Sequence, residues 1–159
     1  KKHRSSYTNL AMSTLSQNKK AHFDFTILHT YEAGIELLGY EVKSVRKGSM
    51  KLTGSYVTFQ GEEAYLSHAH IGRYAPAGDL PHYEPERDRK LLLTKHELKT
   101  LLGQSHEKGL TIVPLSVYTR GSRIKIEIGV ARGKKKYDKR EVIKKRDIER
   151  DMRRAVKGE

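Results

Sequence analysis

The sequence predicts a mainly β chain: a small antiparallel barrel with one or two short helices and a basic C-terminal tail. Three observations carry this. Five or six short segments alternate apolar and polar residues at the two-residue period of a strand. Helical signals are confined to two short stretches and the C-terminal end. The positive charge gathers at the two ends and leaves a nearly neutral middle. Among small barrels, the oligonucleotide-binding type is nearest to this set of elements.

In chain order, residues 1–17 form a basic arm expected to be flexible. The first twenty residues hold Lys1, Lys2, Arg4, Lys19 and Lys20, with no acid. A barrel domain is expected over 18–132. It opens with Phe23, Phe25 and Ile27 alternating with His22, Asp24 and Thr26, a strand pattern. Residues 38–47 suit a short helix ended by Gly48. Residues 55–60 and 63–67 flank Gly61 and predict a hairpin. Residues 72–90 form a long irregular segment containing Gly72, Pro76, Gly78, Pro81 and Pro85, and a loop of that length is usually functional or mobile. Thr94 and Glu97 match a capping box, placing a helix with Leu98, Leu101 and Leu102 on one face and Gly103 at its end. Residues 110–118 are β-rich, but Pro114 inside them requires an edge or a bulge. A turn at Arg120-Gly121-Ser122 leads to the clearest strand. There Ile124, Ile126, Ile128 and Val130 alternate with Arg123, Lys125, Glu127 and Gly129, so one face enters the core and the other meets solvent or ligand.

The tail, residues 133–159, is helix-forming from 139 to 156. Its apolar stripe (Ile148, Met152, Val156) is too thin for a core helix. Glu141 with Lys145 and Glu149 with Arg153 add about 0.2–0.5 kcal/mol each. An isolated helix of this length is marginal in water, so the tail is expected to fold mainly against a partner.

The 159 residues suit one domain and a short extension, and carry a formal charge of +13. Twelve Lys and Arg against six Asp and Glu make the tail +6, residues 1–20 carry +5, and 21–132 only about +2. Such a chain points to polyanions, nucleic acid before an anionic membrane surface. No apolar run approaches the roughly 18 residues of a membrane span, and the first twenty residues lack the apolar segment of a secretory signal. The absence of Cys excludes disulfides, thiolate metal sites and Cys nucleophiles, and a cytoplasmic location is expected.

No catalytic group is expected. Gly129 to Lys135 has three residues between its glycines and no Ser or Thr after the lysine, so it is not a phosphate loop. His68 and His70 share a strand face without a third ligand, which favours surface or RNA contacts over metal. Glu84, Glu86 and Asp88 sit among Arg87, Arg89 and Lys90, a solvated pattern that leaves a metal-dependent nuclease as a remote reading. The densest basic cluster is Lys134, Lys135, Lys136, Lys139 and Arg140, with Tyr137 inside it. Cations interleaved with an aromatic suit phosphate contact with base stacking. Asp138 can orient a neighbouring cation or accept from a base or ribose hydroxyl. The charge pattern alone equally admits a general RNA chaperone or a ribosomal-protein-like RNA-binding module.

Six blocks then point one way: Asn18-Lys19-Lys20-Ala21; residues 31–35 (YEAGI); 39–46 (GYEVKSVR); 89–93 (RKLLL); 111–115 (TIVPL) with Tyr118; and 133–140 (GKKKYDKR). In this order, across about nine-tenths of the chain, the sequence resembles the bacterial transfer-messenger RNA-binding protein family, also called SsrA-binding protein or small protein B. The resemblance implies a closed antiparallel barrel of oligonucleotide-binding type, with a tail that becomes helical on the ribosome. It implies delivery of transfer-messenger RNA to stalled ribosomes for trans-translation, without covalent chemistry or cofactor. Partners on this account are that RNA, small-subunit ribosomal RNA at the decoding centre, and elongation factor Tu indirectly through the RNA. The protein is expected to be a monomer.

Residue roles carry over by motif. Glu32, Leu92 and Thr94 fall at contacts to the transfer-RNA-like domain; Lys19, Lys20, Lys43, Arg46, Arg89 and Lys90 fall at phosphate contacts. Gly133, Lys134, Lys135, Lys136, Tyr137, Asp138, Lys139 and Arg140 make the tail motif that meets the decoding centre. Three positions depart from the family's usual pattern: Thr94 stands for Asn or His, Gly54 for an acid, and Arg73 for Pro.

Overall fold

The strongest alternation in the chain builds the longest ladder. In the computed structural model, which describes residues 12–158, Leu110–Arg120 (β8) and Arg123–Gly133 (β9) pair antiparallel along their lengths. Ile126, Ile128 and Val130 of β9 are wholly buried, while Arg123, Lys125 and Glu127 point the other way and keep solvent contact. Gly121 makes the turn at φ +61°, a conformation that costs glycine nothing.

The other elements are Met12–Gln17 (β1), Lys19–Asp24 (α1), Phe25–Ile35 (β2), Gly39–Arg46 (α2), Met50–Lys51 (β3), Tyr56–Gln60 (β4), Glu63–Ser67 (β5), His70–Ile71 (β6), Arg89–Leu92 (β7), Lys95–Ser105 (α3) and Lys136–Lys157 (α4). A short 3-10 turn covers Ala75–Ala77. Seven strands form one antiparallel sheet in the order β1-β8-β9-β2-β7-β5-β4, and β3 with β6 forms a small ribbon. The sheet curls, bringing β4 against β8. Ala33, Leu66, Leu91, Ile112, Val117, Ile126 and Ile128 fill the interior together with Leu101 of α3 and Val45 of α2.

Several expectations are met. The helix at 38–47, the hairpin about Gly61 and the Thr94 cap are all present; Thr94 Oγ1 accepts from Glu97 N at 3.2 Å. Pro114 is resolved as a bulge rather than an edge. β8 lies between β1 and β9, and the ladder to β9 shifts register between Pro114 and Ser116. The bulge is held by buried Asn18, which donates from its backbone to Leu115 O (2.8 Å) and from its amide to Pro114 O (2.9 Å). Its side-chain oxygen caps α1 by accepting from Ala21 N (3.1 Å).

Others are corrected. The segment 1–17, expected to be a flexible basic arm, contains a strand. Residues 12–17 form β1, paired with the outer side of β8, with Leu15 against the core and Ser16 Oγ donating to Met50 O. Residues 1–11 lie outside the described residues. Phe23 is not on a strand, because the Asn18 cap winds 19–24 into α1 and the strand starts at Phe25. Gly103 does not end α3, which runs to Ser105. The tail is helical over Lys136–Lys157, starting three residues before the expected 139, and its ion pairs are i,i+3 (Glu141–Lys144, Asp147–Arg150, Asp151–Arg154) rather than i,i+4.

Candidate nucleic-acid interface

The most deeply placed charges orient α2. Glu41, wholly buried, accepts from Arg87 Nε and Nη2 (2.8 and 2.7 Å), from Arg89 Nε and Nη2 (3.3 and 3.1 Å), and from Leu38 N (3.1 Å). Burial works to raise its pKa. The hydrogen bonds from Arg87, Arg89 and Leu38 outweigh that and hold the carboxyl below its ordinary value. Arg89 spends its remaining N–H groups on Ala69 O, Arg87 O and Pro85 O. It is fully enclosed, which removes it from the expected phosphate contacts: its guanidinium is a bolt between β7, α2 and the 72–90 segment. That segment is therefore tied down, with Ile71 N donating to Pro85 O and the Tyr83 hydroxyl to Ile71 O.

Outside this bolt, two adjoining clefts lie where β2, β7 and β9 meet. The larger, about 650 Å³, is lined by Glu32, Gly34, Lys90, Leu92, Thr94 and Lys125 among others. Its neighbour, about 340 Å³, shares Gly34, Leu92 and Lys125 and adds Arg46 and Arg123. Leu92 is 49% exposed while Leu91 beside it is 1% exposed. Gly34 pairs with Leu92, and a Cβ on Gly34 would stand 3.1 Å from Leu92 Cβ, so glycine lets β7 come this close. Glu32 accepts from the Tyr118 hydroxyl and from Arg120 Nη1 (3.1 Å). Burial and the bond to Glu32 push the Tyr118 phenol well above its usual range, so it stays a donor that fixes the carboxylate. Lys90 Nζ is 2.6 Å from Glu63 Oε1.

The fold thus gathers Glu32, Lys90, Leu92, Thr94 and Arg46 on one continuous surface. Lys19, Lys20 and Lys43 line neither cleft. Lys43 of α2 and Lys47 just after it instead stand over the Tyr74 ring, at 5.6 and 4.8 Å from its centroid, a cation–π cluster. Lys19 and Lys20 are exposed on α1. Sequence reading missed Lys125 and Arg123 as site residues, although the polar face of the 123–130 alternation carried the signal. In the tail, Gly133 closes β9, and Lys134, Lys135, Lys136, Tyr137, Lys139 and Arg140 follow in space as in sequence. Asp138 acts locally, its carboxylate accepting from Lys135 N (3.3 Å) at the positive end of α4. Tyr137 is 70% exposed. Of the loop acids, Glu86 lies 3.8 Å from His70 Nδ1, and among the described residues no group of three His, Asp or Glu is placed to hold a metal ion. No helix among them is long and apolar enough to cross a membrane.

A curled β sheet with a polar, partly cationic face and a basic helical arm defines a polyanion-binding β protein. Comparison with known proteins narrows the class. The family model described as SmpB protein matches residues 15–158, and the chain belongs to that family. An SsrA-binding protein of Oleidesulfovibrio alaskensis (strain ATCC BAA-1058 / DSM 17464 / G20) is 50% identical over 142 residues, covering 89% of this chain and 91% of the relative. One of Trichodesmium erythraeum (strain IMS101) is 47% identical over 143 residues, covering 90% and 92%. A solved chain described as "tmRNA-SmpB: a journey to the center of the bacterial ribosome" superposes with a TM-score of 0.64 at 48% identity, covering 76% of this chain and 84% of its own.

Proposed function

We propose that this protein binds the transfer-RNA-like domain of transfer-messenger RNA and carries it to stalled ribosomes for trans-translation, performing no covalent chemistry itself. The observation that carries the reading is similarity at 46–50% identity to SsrA-binding proteins, over 89–94% of this chain. The adjoining clefts, which share Gly34, Leu92 and Lys125 and have Glu32 on the larger one, support it. On this reading the curled sheet is a closed oligonucleotide-binding barrel, for which the approach of β4 to β8 speaks. Glu32, held by Tyr118 and Arg120, accepts from base or ribose donors; Leu92 packs on an exposed base or sugar; Lys90, Arg46 and Lys125 meet phosphates; Thr94 lines the rim. Lys19, Lys20 and Lys43 give flanking phosphate contacts. The tail motif from Gly133 to Arg140 enters the empty messenger channel, with Tyr137 free to stack and Lys134, Lys135, Lys136, Lys139 and Arg140 against ribosomal RNA. Elongation factor Tu is met only through the RNA, and the compartment is the cytoplasm.

Competition binding tests this. Transfer-messenger RNA should displace an unrelated structured RNA of equal length, with log affinity falling linearly in log salt as phosphate neutralisation releases counterions. Equal affinity for both RNAs would make the protein a general RNA chaperone or ribosomal-type module instead.

A further inference from the structure

Among the described residues, the polar and cation–π contacts that tie the tail to the body run to the last residues of α1. Lys134 N donates to Asp24 O at 2.8 Å, and Lys134 Nζ to His22 O at 3.2 Å. Lys139 Nζ lies 3.2 Å from Asp24 Oδ1. The Arg146 guanidinium stands over the Phe23 ring, 5.5 Å from its centroid. Within α4 only Lys139 and Val142 are half-buried, and every other position is exposed. At roughly 100° per residue, Lys139, Val142 and Arg146 share one face of the helix, while Tyr137, Ile148 and Met152 fall roughly on the opposite one. A helix with no buried residue has little of its own to fix its direction.

We propose that Phe23 and Asp24 are positioning residues for the tail. They seat the Lys139–Val142–Arg146 face on α1 and so turn Tyr137, Ile148 and Met152 outward, toward ribosomal RNA. This rests on the reading of the tail given above and adds what aims it. The ion pair is partly exposed, with side-chain accessibilities of 25% for Asp24 and 35% for Lys139, and the cation–π contact is equally shallow, so each holds the helix weakly and together they select one direction. Asp24 is the one acid on α1, following Lys19, Lys20 and His22, which makes it the single counter-charge this helix offers to a basic tail. Seating also has a cost to function that fixes its strength. Asp24 competes with phosphate for the Lys139 ammonium, so a weak, partly exposed pair leaves Lys139 able to turn to RNA.

The full chain tests this, bound to transfer-messenger RNA. Because the chain has no Cys, cysteines introduced as Thr53→Cys and Arg150→Cys carry the only two spin labels. Pulsed electron–electron resonance should show a narrow distance distribution in this parent and a broad one after Phe23→Ala with Asp24→Lys. RNA affinity should not fall. Tagging on stalled ribosomes should fall about tenfold, as a tenfold loss of the aimed population would lower apparent engagement. Asp24→Glu should keep both the narrow distribution and tagging. Exchanging the charges, Asp24→Lys with Lys139→Asp and Phe23 retained, should restore the narrow distribution, which a merely structural role for Asp24 would not produce. Equal widths in parent and variant overturn the proposal, as does a broadened distribution with undiminished tagging. If the parent itself supports no tagging, the reading of the tail fails, while the distance comparison still decides whether α1 aims it.

Discussion

Glu41 and Arg89 stand 48 residues apart in the sequence and face each other wholly inside the protein, with Arg89 Nη2 3.1 Å from Glu41 Oε1. The pair, with Arg87 on its outer side, fixes α2 to β7 and holds the 72–90 segment through Pro85 O. Removing one partner leaves an uncompensated buried charge. Glu41→Ala should therefore cost about 3–5 kcal/mol of folding stability, read from urea denaturation midpoints.

The same carboxyl predicts a pH dependence. Its folded pKa lies below the unfolded value, so the stability it contributes is complete above the unfolded pKa and is lost as pH falls through the folded one. Between about pH 5 and pH 2, Tm of the natural chain should fall more steeply than that of Glu41→Gln, which has no carboxyl to protonate. Parallel curves would show that Glu41 does not govern acid unfolding.

Leu91 and Leu92 separate packing from recognition within one dipeptide. Leu91→Ala should destabilise by about 2–5 kcal/mol, since its side chain is enclosed. Leu92→Ala should leave stability within about 0.5 kcal/mol yet weaken transfer-messenger RNA binding about tenfold, or ~1.4 kcal/mol. Thermal melts and filter binding on the two variants decide between these roles.

Lys125 lines both clefts, and the proposed function puts it among the charges that meet phosphate. Lys125→Ala should reduce the slope of log affinity against log salt by about one. An unchanged slope over a salt titration would remove it from the interface.

Truncation after Lys135 removes α4 but no strand of the sheet. Transfer-messenger RNA binding should persist, and tagging in a reconstituted translation system should be abolished. A truncated chain that no longer bound the RNA would refute the division between body and tail.

Much of this was legible in the residues because it depends on local order. Period-two alternation sets which face of β9 is buried, Thr94 with Glu97 starts α3 through hydrogen bonds three residues apart, and Gly121 and Gly61 permit turns that other residues strain. Phe23 misled for a related reason: alternation extends through 22–27, but the Asn18 cap acts over three residues and wins locally, making a helix up to Asp24. β1 was missed because a six-residue polar strand has no pattern of its own and forms only where β8 offers an open edge.

Composition, charge placement and six short blocks by themselves determined the strand-rich fold class, the family resemblance and the kind of partner expected. Only the tertiary structure decided what each charge does. Arg89 reads as one more cation beside Lys90, yet closure of β7 over α2 buries it on Glu41, while Lys125, in sequence only one residue of a polar strand face, emerges between two clefts. The reason is physical: a side chain's charge is written in the sequence, but its solvation depends on residues dozens of positions away, and solvation determines whether a cation bolts the fold or remains free to meet RNA.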